Sequence, residues 1–361
     1  MVSRAAPTVP IGTPVWAHRL QRATAMRTRG WLALGAIVGS TVFLRYRLRR
    51  KRALDLRGRI VAITGGSRGL GLVLARTALE RGAKVAICAR DAGELDRARR
   101  DLEQHGDAVF AVRCDVTDRD DVMQFIAEVE DEVGPISVLV NNAGIIQVGP
   151  VELMSHDDFE QALDANLRGP LHAMLAVLPH MRRRGEGRIV NIASIGGKLA
   201  IPHLAPYCTS KFALVGLSEA MRAELAKDNI FVTTACPGLI RTGSARHAWF
   251  KGDKQAEYAW FAIGDSLSVT TTSAEATASK ILDACCNGEP ELTISVQAKL
   301  AALAHGIAPG LTQELLGVLA RFLPSANGSA RDASLGRDAE SAAVSKWTRL
   351  ADEAARRNNE N

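Results

Sequence analysis

Arg59-Ile60-Val61-Ala62-Ile63-Thr64-Gly65-Gly66-Ser67-Arg68-Gly69-Leu70-Gly71 joins the two patterns that decide the fold. Residues 59 to 64 are a short apolar, β-branched run, and residues 70 to 81 place apolar side chains at helical spacing. The glycines therefore sit between a strand and a helix. There the backbone can approach a phosphate closely, and the helix N-terminus offers unpaired N–H groups and the positive end of a dipole. An ordinary glycine-rich turn would satisfy the spacing alone, and it is the strand-helix context that points to a dinucleotide pyrophosphate.

Downstream the chain keeps alternating. Strands are predicted at 84 to 89 (KVAICA), 109 to 113 (VFAVR), 138 to 141 (VLVN), 188 to 192 (RIVNI), 231 to 235 (FVTTA) and 292 to 295 (LTIS), with helical stretches between them. This predicts an α/β fold, a doubly wound parallel sheet of the Rossmann kind, with ligands at the carboxyl ends of the strands. Ser194 follows the 188 to 192 strand, Tyr207 comes thirteen residues later, and Lys211 four after that. Tyr207 and Lys211 share one helix face, with Pro206 acceptable at the helix start. A tyrosine is mostly a proton donor at neutral pH, and an ammonium held nearby stabilises its phenolate, bringing it toward the working range. Ser194 can hydrogen-bond a substrate oxygen where negative charge develops. Taken singly, Tyr207 reads as a packing residue, Lys211 as a surface charge, Ser194 as a turn or cap and Asn166 as a helix polar residue. Together they read as a proton-transfer apparatus.

These motifs carry a family resemblance. Residues 55 to about 295 resemble the single-domain short-chain dehydrogenases/reductases through TGGSRGLG at 64 to 71, Asp115-Val116, Asn141-Asn142-Ala143-Gly144, Asn166, Ser194, Tyr207-x-x-x-Lys211 and Pro237-Gly238-x-x-x-Thr242. The resemblance implies that Lys211 also binds the nicotinamide ribose and that Asn166 supports a proton relay through water. It implies a cofactor site of Gly65, Ser67, Arg68, Gly69, Leu70, Gly71, Asp115, Val116, Asn142, Ala143, Gly144, Tyr207, Lys211, Pro237, Gly238 and Thr242, to which the end of the second strand adds Arg90. The expected reaction interconverts a ketone and a secondary alcohol. The competing class is a non-enzymatic dinucleotide-binding scaffold or sensor, which would have no use for a proton donor.

An acidic residue at the end of the second strand selects NAD, and an arginine there suits the 2′-phosphate of NADP. Here that strand ends Cys88-Ala89-Arg90. With Ala89 in the acidic slot and Arg68 as a second guanidinium, NADP(H) is expected over NAD(H). Asp91 opposes this unless it caps the helix predicted over 92 to 104. Between Thr242 and about 270, Trp249, Phe250, Tyr258, Trp260 and Phe261 either line a pocket for an apolar, lipid-like, steroid-like or long-chain substrate or form the core of packed helices or a dimer contact.

The net charge of +6 comes entirely from residues 1 to 54, which hold eleven Lys or Arg and no acid, so it does not indicate nucleic acid as a partner. Within this arm, residues 30 to 44 are fifteen uncharged, mostly apolar residues, followed by six basic residues through Arg52. A span usually needs about 20 such residues, although flanking arginines can lengthen a short one. A cleaved signal peptide is disfavoured by the arginines after the run, and a mitochondrial presequence stays open. The preferred reading is an uncleaved single membrane anchor, with residues 30 to 52 as the lipid contact and the catalytic domain on the cytoplasmic side. Six cysteines and eight histidines form no ligand motif, so no metal is expected. Residues 296 to 323 read as an amphipathic helical extension (297 to 305 and 311 to 323), and 324 to 361 as a mostly disordered tail with a short helix near 339 to 355. A homo-oligomer is expected.

Overall fold

The computed structural model describes residues 39–40, 43–44, 46–106, 108–266, 271–326, 330–339 and 352–360, and the chain divides into two units, residues 1–52 and 53–361. In the first unit the described residues are helical. Most of the apolar run at 30 to 44 lies outside the described residues, and among those described no helix is long and apolar enough to cross a membrane. The second unit starts two residues before the boundary expected at 55. Leu54 and Leu56 are the reason, being buried in its core, with Leu54 N–H donating to Cys286 O at 2.9 Å.

Strands β1 (Ile60–Thr64), β2 (Lys84–Ala89), β3 (Val109–Arg113), β4 (Ile136–Asn141), β5 (Gly187–Ile192), β6 (Ile230–Pro237) and β7 (Glu291–Ile294) form one parallel sheet in the order β3-β2-β1-β4-β5-β6-β7. The chain runs from β1 out to one edge and re-enters at β4 on the other side of β1. The switch point thus lies between β1 and β4, whose last residues Thr64 and Asn141 are register partners.

Helices cover both faces, which is why the strands read as continuous apolar runs. On one face Val61, Ile63, Val85 and Ile87 pack with Leu72 and Leu74 of α1 (Gly69–Glu80), Leu95 of α2 (Ala92–Leu102) and Ile281 of the helix Ala274–Cys286. On the other face Ile60, Ala62, Ala86 and Cys88 meet Phe125 of α3 (Arg119–Glu128), Met174 of α4 (Gly169–Arg184) and Leu225 of α5 (Ala205–Leu225). Each fully buried large side chain contributes about 1.5–3 kcal/mol, so the two layers fix the sheet and with it the turns at its carboxyl edge. Helices α6 (Lys254–Ser266), α7 (Ala274–Cys286), α8 (Val296–Ile307) and α9 (Pro309–Ala320) follow. The last two leave Leu300, Ile307 and Leu311 largely exposed, as is Phe322 just after α9.

Beyond Pro324 the structure departs from the expected disorder. Residues 330–335 pair antiparallel with residues 249–252, which in turn run parallel to residues 147–148. Gly336 makes the approach possible, since a Cβ there would lie 2.0 Å from Ala245 O. Residues 352–360 then pack against the glycine turn after β1. Backbone pairing and small residues such as Ala339, Ala354 and Ala355 hold these pieces, and neither registers as an apolar run. Residues 340–351, with most of the short helix expected near 339 to 355, lie outside the described residues.

Candidate active site

The glycine turn is built so that only glycine fits. Gly65 has φ +65°, and a Cβ on it would lie 2.8 Å from Ala143 Cα. At Gly71 a Cβ would fall 2.1 Å from Gly65 O and 2.5 Å from Asn142 Nδ2. The β1 and β4 ends are tied together here. Thr64 Oγ1 accepts from the N–H groups of Asn142 (3.1 Å) and Ala143 (3.2 Å), and Asn142 Nδ2 donates to Thr64 O (3.2 Å) and Gly65 O (2.9 Å). Leu70 packs on the apolar core, anchoring the first turn of α1.

Next to it lies the Ser, Tyr, Lys constellation. Ser194 stands just past β5, where its Oγ accepts from Gly196 N–H at 3.0 Å and caps a short helical turn, Ile195–Gly197. Its hydroxyl proton keeps a donor role beside that cap. A Cβ on Gly196 would touch both Tyr207 Cε1 (3.2 Å) and Ser194 Oγ (3.5 Å), so the two side chains flank one glycine. On α5, Lys211 is 5% exposed, donates from Nζ to Ile192 O at 2.9 Å, and holds that Nζ 5.8 Å from the Tyr207 ring centroid. Burial pushes its ammonium down to about 8. Asn166 is fully buried in a π-turn, Asp164–Arg168, of the kind that often marks functional positions. Its Oδ1 accepts from Ile145 N–H, and its Nδ2 donates to Ile145 O and Ser210 Oγ, each at 3.0 Å. Gly144 lies over both: a Cβ there would sit 2.4 Å from Asn166 Oδ1 and 3.6 Å from Lys211 Nζ.

The remaining sequence-predicted residues rim the same edge. Pro237 ends β6, Gly238 N–H donates to Ile294 O (3.2 Å), and buried Thr242 accepts from Ser244 N–H (3.3 Å). Val116 is buried beyond β3, and Asp115 Oδ1 accepts from Thr117 N–H and Oγ1–H. Arg90 is exposed, with Asp115 Oδ2 4.0 Å from its Nη1. Asp91 caps α2 by accepting from Glu94 N–H at 2.7 Å. Glu94 was missed by sequence reasoning. Its carboxylate accepts from Arg68 Nη1 (2.7 Å) and Ser67 Oγ (3.3 Å), so each of the two predicted cations stands beside a carboxylate, Arg68 the more closely. Of the five clustered aromatics, Phe250, Tyr258 and Phe261 are buried in an edge-to-face stack, with centroids 5.6 and 6.0 Å from Phe250. They form a core, whereas Trp260 is only partly buried, alongside Ile146, Ile201 and Tyr207.

A seven-stranded parallel sheet with a glycine turn at its switch point and Tyr207 and Lys211 beside it meets an independent match: the family model for short chain dehydrogenase covers residues 59–251. The chain belongs to the short-chain dehydrogenase/reductase family. This dehydrogenase/reductase is 36% identical over 188 residues to gluconate 5-dehydrogenase of Gluconobacter oxydans, covering 52% of this chain and 73% of the relative. It is 35% identical over 258 residues to dehydrogenase/reductase SDR family protein 7-like of Anopheles gambiae, covering 70% and 80%. Among solved structures, a gluconate 5-dehydrogenase from Burkholderia cenocepacia in complex with NADP and tartrate superposes with a TM-score of 0.60 at 29% identity, over 68% of this chain and 97% of that one. The fold class and the oxidoreductase family expected from the sequence both hold.

The remaining groups at the glycine turn come from the far end of the chain, and no sequence signal pointed to them. Asn358, Asn359 and Glu360 lie directly on the turn. Asn358 O accepts from Gly69 N–H (2.9 Å), Asn359 Nδ2 donates to Ser67 O (2.8 Å) and Glu94 O (3.0 Å), and Glu360 Oε2 accepts from Gly243 N–H (2.6 Å). Two backbone N–H groups, those of Gly69 and Gly243, thus donate to this one carboxylate-bearing segment.

Proposed function

We propose that this protein is an NADP(H)-dependent oxidoreductase that interconverts a ketone and a secondary alcohol on an apolar substrate, and that residues 30 to 52 hold it at a membrane. The observation that carries the chemistry is the buried Lys211 ammonium beside the Tyr207 ring, a short step from the glycine turn. A bound nicotinamide supplies or accepts the hydride. Tyr207 gives its phenolic proton to the developing alkoxide in the reductive direction and takes it back in the oxidative one. Lys211, fixed to Ile192 O, stabilises the phenolate. Ser194 donates to the substrate oxygen. The Asn166 side chain clamps the loop through Ile145, with Gly144 close to Lys211, and is proposed to support a proton relay through water. The turn from Gly65 to Gly71 would hold the pyrophosphate, with the N–H groups of Gly69 and Gly243 as donors. Asp115, Val116, Asn142, Ala143, Pro237, Gly238 and Thr242 would hold the rest of the cofactor. Ile146, Ile201 and Trp260, partly buried against the same core as Tyr207, are the side chains proposed to meet an apolar substrate.

Cofactor preference follows from Arg68 and Arg90. NADPH should bind more tightly than NADH, and Arg90→Ala should narrow the gap by about ten- to hundredfold, the worth of one charge-assisted contact. Because Glu94 holds Arg68, Glu94→Gln should widen the preference for NADPH. Calorimetric titration of both cofactors decides it, and equal affinities in the wild type would refute the assignment.

Attachment is tested by fractionation. The full chain should sediment with membranes and resist high salt, and a chain starting at Ala53 should be soluble and still bind NADPH. Recovery of the untreated full chain in the soluble fraction would rule the anchor out.

A further inference from the structure

The segment 352–360 is out of character for its composition. Asn358 is fully buried and Glu360 is 4% exposed, yet hardly any apolar surface accompanies them beyond Ala354 and Ala355. Their partners explain the burial, and those partners are the cofactor loop. Besides the bonds to Ser67, Gly69, Glu94 and Gly243, Arg76 of α1 donates to Asn358 Oδ1 (3.0 Å) and Arg357 O (2.8 Å), and Arg97 of α2 donates to Asn359 Oδ1 (2.9 Å). The fit is close. A Cβ on Gly69 would lie 2.9 Å from Glu360 Oε1, and one on Gly243 would lie 2.7 Å from Ala355 Cβ and 2.8 Å from Glu360 Cβ.

We propose that residues 352–360 are a self-inhibitory plug that occupies the pyrophosphate groove, with the Glu360 carboxylate standing where the dinucleotide's phosphates bind, so that cofactor and tail compete for one site. This rests on the dinucleotide reading given above. The Asn358 carbonyl takes the Gly69 N–H at the start of α1 and the Glu360 carboxylate takes the Gly243 N–H, with its Oε1 2.9 Å from where a Cβ on Gly69 would lie, so a phosphate and the tail cannot occupy this place at once. The plug is tethered to the protein it occupies, so it competes at a high effective concentration whatever its intrinsic affinity. It is also displaceable. Burial pushes the Glu360 carboxyl up to about 7, against the opposing pull of the Gly243 N–H and Arg68, so its charge is incompletely compensated in the groove. A dinucleotide brings more charge and more acceptors to the same donors. The observed cofactor affinity is then the intrinsic one reduced by the fraction of molecules with the groove open.

The test is NADPH titration, followed by nicotinamide fluorescence, of three proteins: the full chain, the chain without residues 352–361, and the full chain carrying Asn359→Ala with Glu360→Ala. If the tail plugs the groove, both altered proteins bind NADPH about tenfold or more tightly than the full chain, and a synthetic peptide of residues 352–361 competes with NADPH on the shortened chain. Should the shortened chain fail to fold, the double variant decides alone. Equal affinities in proteins that all bind NADPH would overturn the plug and leave the dinucleotide site standing. Weaker binding after removal of the tail would overturn it too, since the segment would then be a cover that helps retain the cofactor. If no form binds NADPH or NADH, the dinucleotide reading itself fails and the plug falls with it.

Discussion

Tyr207→Phe should lower turnover by on the order of a hundredfold or more while NADPH still binds, because it removes the hydroxyl that carries the transferred proton and leaves the ring in place. Lys211→Ala should damage both catalysis and cofactor binding. The pH profile separates the two roles. Burial holds the Lys211 ammonium at about 8, so it is charged below that pH and loses its proton above it. Carbonyl reduction, which needs a protonated acid beside a charged lysine, should therefore fall as pH rises through about 8. Steady-state kinetics on any accepted ketone reads all three effects. Near-full activity in Tyr207→Phe would remove Tyr207 from the chemistry, and a flat profile across pH 8 would remove the lysine charge from it.

Gly71→Ala is the second large effect. The added Cβ would meet Gly65 O at 2.1 Å, and a backbone oxygen cannot rotate away as a side chain can, so the turn must open. Overpacking of this kind costs about 1–3 kcal/mol of stability. The same displacement moves the N–H groups proposed to hold the phosphates, so NADPH affinity should fall about ten- to hundredfold. Gly216→Ala is the internal control: it lies on α5 with nothing within 4 Å of a new Cβ, and alanine is the better helix former by about 1 kcal/mol. Thermal unfolding and NADPH titration of both variants check the pair. A Gly71→Ala protein as stable and as tight-binding as the wild type would contradict the turn's role.

How far the fold could be read in advance depended on which forces leave a periodic trace. The bounds of β2 and β3 match the apolar runs 84 to 89 and 109 to 113 residue for residue, and α5 begins two residues before Tyr207, because two-sided burial and helical spacing are both written locally. The grouping of Ser194, Tyr207 and Lys211 was legible for the same reason, being set by one strand end and one helix face. What escaped were contacts between polar groups far apart in the chain. Glu94 reads as an ordinary first-turn acid of α2 until its carboxylate is found on Arg68. Asn358 to Glu360 read as solvated tail, since hydrogen bonding to a glycine turn hundreds of residues away has no sequence period. The aromatics from 249 to 261 were ambiguous because a core and a pocket wall use the same side chains. Packing places Phe250, Tyr258 and Phe261 in the core and leaves Trp260 at its margin.

The Tyr207 and Lys211 apparatus is proposed to work on a carbonyl with NADPH. The most direct measurement is nicotinamide absorbance, with NADPH and a panel of apolar ketones, using the wild type, Tyr207→Phe and the shortened chain ending at Ala351. Loss of NADPH absorbance with at least one ketone, absent in Tyr207→Phe, is the predicted result. Tight NADPH binding with no turnover of any ketone, nor of the corresponding alcohols with NADP, would contradict it and leave a dinucleotide-binding scaffold or sensor in its place.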